Sequence, residues 1–145
     1  MRAIVFFLLA SVLFAQTAGP VPVGTMSQLM VDVIYPTSND LFYIFREPPK
    51  NDVEWNKIRE SALTLAESGN LLMGKERAYD DEGWMTDSKL LVDVGRKAYK
   101  AALIKDVKAI EDLNQELNDA CVTCHTDYRP IFRRRPAAAK PAAKQ

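Results

Sequence analysis

Apolar residues recur every three or four positions along most of this chain, which is the pattern of amphipathic helices. Thr25 and Gln28 match a capping box, so we predict that the first helix begins there. Pro36 lacks a backbone N–H, and we expect it to kink or end this stretch, with a second helical piece over residues 40–46. The predicted apolar face of the first helix contains Met26, Met30 and Val33.

Three further helices follow in the pattern. Asn51 is the candidate N-cap of the second helix, and Gly74 is its natural stop. Thr86 followed by Asp87 is predicted to open the third helix, and Asp106 is predicted to cap the fourth. The stripes are, in chain order, Trp55, Ile58, Ala62, Leu65, Gly69 and Leu72; Leu91, Val94, Ala98 and Ala101; and Val107, Ile110, Leu113, Leu117, Cys121, Cys124 and Tyr128. Because no segment alternates with period two, we predict an all-α protein, an antiparallel four-helix bundle over residues 24–132.

The start of the chain has the layout of a secretory signal peptide. Arg2 precedes an apolar run from Ala3 to Phe14, and small or polar residues follow from Ala15 to Gly19. The run is shorter than the roughly 20 apolar residues of a membrane-spanning helix. We therefore predict a signal peptide over residues 1–18, export to the periplasm and no integral membrane span after its removal. An uncleaved anchor and a buried first helix are the alternatives.

Acidic and basic residues are distributed unevenly along the chain. The chain has 19 basic and 19 acidic residues, but Arg2 and five basic residues of segment 133–145 lie at the two ends. The remaining chain therefore has six more acidic than basic residues, which argues against nucleic-acid binding. Segment 133–145 contains Pro136 and Pro141 and no apolar periodicity, so we predict a disordered basic tail. It either docks on an acidic partner or membrane surface or only aids solubility.

The last predicted helix contains the chemistry. Cys121, Cys124 and His125 form C-x-x-C-H, the attachment motif for c-type haem, and His125 is the single histidine of the chain. Two thiols can form thioethers with the porphyrin vinyl groups while the adjacent imidazole binds iron. On a helix these three positions share one face. The alternatives are a redox or structural disulfide between Cys121 and Cys124, and a zinc site, for which the further Cys or His ligands are missing.

The position of this motif near the end of a four-helix pattern resembles the class II c-type cytochromes, which comprise cytochrome c′ and its low-spin relatives. Tyr128 and Arg129 after the motif are similar to the aromatic-Arg ending of that family. The resemblance implies one covalently bound haem c. It also implies a methionine ligand on the first helix in low-spin members and an apolar residue there in five-coordinate members.

The sixth iron ligand is predicted on the first helix, because the beginning of that helix lies level with the end of the last one in an antiparallel bundle. We predict Met30, with Met26 or no protein ligand as alternatives. Arg129, one turn beyond His125, is predicted to pair with a haem propionate, the alternative being a solvent-facing arginine. Met73 and Met85 are expected to pack in the core.

These residues predict a periplasmic monohaem electron carrier with redox partner proteins. No catalytic base, nucleophile or substrate site is visible, so we do not expect an enzyme. The first alternative is a five-coordinate binder of nitric oxide or carbon monoxide. The second is a haem-free helical interaction protein with a Cys121–Cys124 disulfide. The sequence leaves open whether the protein forms a homodimer.

Overall fold

The computed structural model describes residues 21–134. This part of the chain consists of helices, turns and connections and contains no strand, so the all-α prediction is confirmed. The predicted signal peptide, residues 1–18, and residues 135–145 of the predicted tail lie outside the described residues. Within 21–134 there is also no helix with the length and apolar character required to cross a membrane.

The helices divide into four long runs and one short one. The first run is continuous and has three pieces: α1 (Met26–Gln28), a π-helical segment (Leu29–Ile34) and α2 (Tyr35–Phe42), which we call together the first helix. The later helices are α3 (Asp52–Leu72), α4 (Gly83–Leu103), the short α5 (Val107–Glu111) and α6 (Asn114–Arg134). The last helix thus includes Arg133 and Arg134, the first two residues of the predicted tail.

The first helix begins as predicted but continues past Pro36. The Thr25 hydroxyl accepts from the Gln28 backbone N–H at 3.2 Å, and the Gln28 side chain accepts from the Thr25 N–H at 2.9 Å. The first helix does not end at Pro36, since the preceding turn adopts the wider π register, in which the Tyr35 N–H donates to the Met30 carbonyl five residues back. Pro36 has no N–H to donate to the preceding turn. The hydroxyl of the next residue, Thr37, donates to the Val33 carbonyl of that turn at 2.8 Å.

The end of the first helix and the start of α4 also differ from the prediction. The first helix ends at Phe42, so residues 40–46 do not form a separate helical piece, and 43–46 form turns. The helix predicted to open at Thr86 begins at Gly83 instead. The reason is Asp80, whose carboxylate accepts from the backbone N–H groups of Trp84 at 2.9 Å and Glu82 at 3.2 Å and so satisfies the first turn.

The other two predicted caps are confirmed, but the last predicted helix is interrupted. Asn51 accepts from the Glu54 N–H at 3.0 Å, and Asp106 accepts from the Ala109 N–H at 2.9 Å. Lys105 has a φ of 59°, a left-handed conformation that turns the chain between α4 and α5 without glycine. Beyond Asp106, helix α5 stops at Glu111, and α6 starts after a break at residues 112–113.

Neighbouring long helices pack side by side in opposite directions. Between the first helix and α3, Ser61 donates to Asp40 at 2.7 Å, and Arg77 beyond the end of α3 donates to the Gly24 carbonyl at 3.2 Å. Between α3 and α4, Gly69 approaches Val92, and Ala66 approaches Gly95. In these pairs the residue numbers fall along one helix as they rise along its neighbour, so neighbouring helices are antiparallel.

Helix α6 completes the bundle by packing on α4 in the same antiparallel sense. Lys97 binds Glu116, and Gly83 faces Tyr128. The shared core contains side chains from every long helix. Its largest fully buried members are Trp84, Leu41, Ile44, Leu65, Ile110 and Leu117. The packing is thus that of a helical bundle, with its first and last long helices brought onto one side.

Candidate functional site

A groove with a volume of about 800 Å³ lies between the first helix and α6. Its wall on one side is largely apolar and aromatic and consists of Met30, Val31, Ile34, Tyr35, Ser38, Asn39, Phe42, Tyr43 and Phe45. Its wall on the other side consists of Asn114, Asn118, Cys121 and His125. The volume is within the range of roughly 300–1,000 Å³ for sites that hold small molecules and cofactors.

The α6 wall is one face of a helix. Its four residues are separated by four, three and four positions, so they lie in a row along α6. The groove closes at the Asn114 end, where the Asn114 side-chain amide donates to the Phe42 carbonyl at 3.3 Å. At the other end of the row lie Cys121 and His125, which carry the chemistry of the motif.

A smaller recess of about 40 Å³ adjoins this groove on the side of α4. Met30, Ile34, Cys121 and His125 line both spaces. The residues that line only the recess are Leu72, Asp87, Ser88, Leu91, Ala120 and Cys124. The recess therefore reaches from the C-x-x-C-H motif towards the buried face of α4.

The two cysteines are free thiols that lie in different surroundings. Cys124 is 9% exposed, and its burial, together with the nearby Asp87 carboxylate, raises its pKa to about 11. Cys121 is half-buried in the wall of the groove, and burial raises its pKa as well. Both side chains are therefore protonated thiols at neutral pH.

His125 is accessible from the groove and is neutral at physiological pH. Partial desolvation of the ring lowers its pKa, and the positive charge of Arg129 lowers it further. A neutral imidazole has a free nitrogen lone pair, which is the form that binds metal ions. Arg129 itself is exposed and lines neither the groove nor the recess.

The structure distinguishes between the two candidate methionines. Met30, on the π-helical segment, lines both the groove and the recess opposite the motif. Met26 is partly buried against the core and lines neither space. The structure thus brings Met30, Cys121, Cys124 and His125 around one space.

Several lining residues were missed by the sequence reasoning. Ile34, Ser38 and Phe42 continue at intervals of four from the predicted Met30, and this row could have been recognised if the first helix had been extended past Pro36. The recess residues Asp87 and Ser88 had no distinguishing signal, because a buried carboxylate looks like any other polar residue near the start of a helix.

Comparisons with protein families, with curated proteins and with solved structures find no match for this chain. Within residues 21–134, no cluster of three or more His, Cys, Asp or Glu side chains forms a metal-ion site.

Proposed function

We propose that this chain is a monohaem c-type cytochrome that carries electrons. The observation that carries the proposal is that Met30 of the first helix and His125 of α6 line the same groove and recess, together with Cys121. Cys124 lines the recess beside them. One space thus offers two thiols, an imidazole and a thioether, which are the groups that hold haem c with histidine and methionine ligands.

The residues of the groove fit a covalently bound haem. Ile34, Phe42 and Tyr43 offer a hydrophobic surface for the flat face of a porphyrin, and the groove is of cofactor size. Protonated Cys121 and Cys124 each have an S–H that could add across a vinyl group of the porphyrin, and neutral His125 has a lone pair that could bind iron. Arg129 lies near His125 without lining the groove, so its pairing with a haem propionate at the groove edge stays a prediction.

A haem bound in this groove would supply an iron that gains and loses one electron. His125 and Met30 would donate to that iron from opposite walls, each fixed on a helix, so the ligands would stay the same in both oxidation states. Leu117 and Ala120 are buried on the core face of α6, next to the motif. The apolar wall of the first helix would limit the access of water to the iron.

The same proposal includes the cellular context. We propose that the signal peptide over residues 1–18 directs export to the periplasm, where the chain exchanges electrons with partner proteins. The resemblance of the C-x-x-C-H ending to class II c-type cytochromes supports a bundle of that family, with the haem on its last helix. We propose no catalytic activity.

The decisive experiment is to produce the full chain with a c-type haem maturation system and to record absorption spectra. We expect haem that stays on the polypeptide in a denaturing gel, and low-spin spectra in both oxidation states. Replacing both cysteines, Cys121→Ser with Cys124→Ser, should abolish the covalent attachment. A wild-type chain without haem would reject the proposal and favour the haem-free interaction protein.

Two matched variants test the sixth ligand. Met30→Ala should convert the low-spin spectrum to a high-spin one that binds carbon monoxide readily, because the thioether is lost. Met26→Ala, one turn away on the same helix, should leave the spectrum unchanged, since Met26 lines neither space. If the wild-type protein is already high-spin and binds carbon monoxide, the five-coordinate gas binder replaces the electron carrier.

A further inference from the structure

Two buried polar atoms of α4 lack hydrogen-bond partners within the described residues. They are the Oδ2 atom of Asp87 and the hydroxyl oxygen of Ser88. Asp87 is 7% exposed and Ser88 is 1% exposed, and both residues line the recess beside Cys124. Buried polar groups in folded proteins are almost always hydrogen bonded, so each of these two atoms requires an explanation.

The recess offers room for the missing partner. A water molecule needs about 10–15 Å³ of accessible space and two to four polar partners. The recess has about 40 Å³, and Asp87 and Ser88 supply two partners from adjacent positions of one helix. The rest of the lining combines apolar side chains with the two thiols and the imidazole of the motif, and consists of Met30, Ile34, Leu72, Leu91, Ala120, Cys121, Cys124 and His125.

We propose that the recess is a binding site for a small neutral hydrogen-bonding molecule, with water as its occupant in the resting protein, held by Asp87 and Ser88. A carboxyl oxygen accepts or shares a hydrogen bond, and a hydroxyl can both donate and accept. A water molecule between them satisfies both atoms.

The charges around the recess select against anions. Asp80 and Asp127 lie close enough to Asp87 to raise its pKa, and burial is the larger cause of that rise. The ionisable side chains of α6 that line the recess are the protonated thiols of Cys121 and Cys124 and the neutral imidazole of His125. Arg129 acts on His125 from the exposed side and does not line the recess. None of the residues that line the recess is Lys or Arg, so an anion would meet no positive side chain there, whereas water needs none.

The recess adjoins the proposed iron ligands, and this step of the inference rests on the proposed function. Met30 and His125, the two proposed iron ligands, also line the recess. A molecule held by Asp87 and Ser88 would therefore stand beside the iron site, on the side of the buried face of α4.

The test is a high-resolution crystal structure of the full chain, compared with Ser88→Ala and Asp87→Leu. We expect an ordered water within hydrogen-bonding distance of Asp87 Oδ2 and Ser88 Oγ in the wild type. Occupancy should fall in Ser88→Ala, which removes one partner with little change in volume, and should be lost in Asp87→Leu. A dry recess in the wild type, or a water that persists unchanged in both variants, would overturn the proposal.

A thermal measurement gives an independent answer. If the recess is dry, Asp87→Leu removes an unsatisfied carboxyl and should raise the unfolding midpoint. If water is bound, Asp87→Asn should stay near the wild type and Asp87→Leu should lower the midpoint. If Asp87→Leu does not fold, the occupancy of the water in the crystal structure of Ser88→Ala decides the question. The water is read from density and the haem from the absorption of the same sample, so failure of this proposal is distinguishable from failure of the proposed function.

Discussion

The two sides of this bundle are packed in opposite ways. Between α3 and α4 the backbones almost touch, since a Cβ atom added to Gly95 would lie 2.7 Å from the Ala66 nitrogen, and one added to Gly69 would lie 3.0 Å from the Ser88 carbonyl oxygen. Between the first helix and α6, a groove of about 800 Å³ separates the walls. Small residues close one side of the bundle, while large residues line an open space on the other.

The difference in packing indicates that the two sides of the bundle depend differently on a ligand. Protein interiors are normally close-packed, so the α3–α4 side is complete without a ligand. The groove side exposes aromatic and aliphatic surface at Tyr35, Phe45 and Val31, which a cofactor would cover. We therefore expect the stability of the groove side to depend on the proposed haem, and the stability of the α3–α4 side to be independent of any ligand.

The largest expected effect comes from removing the cofactor attachment. In the Cys121→Ser, Cys124→Ser double variant, the amide protons of the first helix and α6 should exchange faster than in the haem-bound protein, by on the order of tenfold or more, because the ligand no longer stabilises the folded state. The amides of α3 and α4 should change least. Hydrogen exchange followed by mass spectrometry measures both, and equal acceleration in all helices would contradict the comparison.

A smaller effect should follow from crowding the close-packed side. Gly95→Ala places a methyl group against the α3 backbone at Ala66, which cannot move aside as a flexible side chain would. We expect a loss of about 1–3 kcal/mol in the free energy of unfolding. This loss would occur although alanine in a helix normally gains about 1 kcal/mol over glycine.

Denaturant unfolding measures this loss, and Gly24→Ala is the control. A Cβ atom at Gly24 would meet only Gln28 side-chain atoms, at 3.5 and 3.6 Å. If Gly95→Ala is as stable as the wild type, α3 and α4 can move apart to accept a methyl group. The α3–α4 side would then not be more tightly packed than the groove side.

A weaker, pH-dependent effect is expected where α6 meets the α3–α4 connection. Asp80 accepts from the Trp84 N–H and, at 2.7 Å, from the Tyr128 hydroxyl, and these bonds lower its pKa below the ordinary value of 3.8. A lowered carboxyl pKa stabilises the folded state above the unfolded value and loses that effect as pH falls through the folded value. The wild type should therefore be more stable than Asp80→Asn above about pH 4, and the difference should vanish in stronger acid.

Unfolding midpoints of the two proteins across acidic pH give the measurement. Asp81→Asn, at the exposed neighbouring position, removes the same charge and should not reproduce the effect. A pH-independent difference for Asp80→Asn would show that the loss comes from packing and not from the ionised carboxylate.

The smallest effect is predicted for the surface link between α4 and α6. Lys97 binds both carboxylate oxygens of Glu116, at 2.6 and 2.8 Å, but both side chains are well exposed. Such pairs contribute roughly 0–1 kcal/mol and less in salt. Lys97→Ala should therefore cost at most this amount, with Lys100→Ala on the same helix as the control. A loss that persists in high salt would indicate packing by the lysine stem.

Three of the local signals, the helix caps, were read correctly. The caps at Thr25, Asn51 and Asp106 depend on a side chain and an N–H three positions away, and the structure confirms them. The start of α4 was wrong because its first N–H groups are satisfied by Asp80, which is also held by Tyr128 from a distant helix. The prediction that the helix could end at Pro36 was wrong because a π-helical turn precedes it, and the helix continues although Pro36 donates no hydrogen bond.

By itself, the sequence determined that this protein is helical and that one motif, Cys121 to His125, concentrates two thiols and the single imidazole on one helix face. These properties follow from spacing along a single segment. Only the tertiary structure decided that Met30, and not Met26, shares a space with the motif, and that Asp87 and Ser88 are buried beside it. The reason is that the lining of a cavity depends on how separate helices are rotated against each other, and no single segment encodes that rotation.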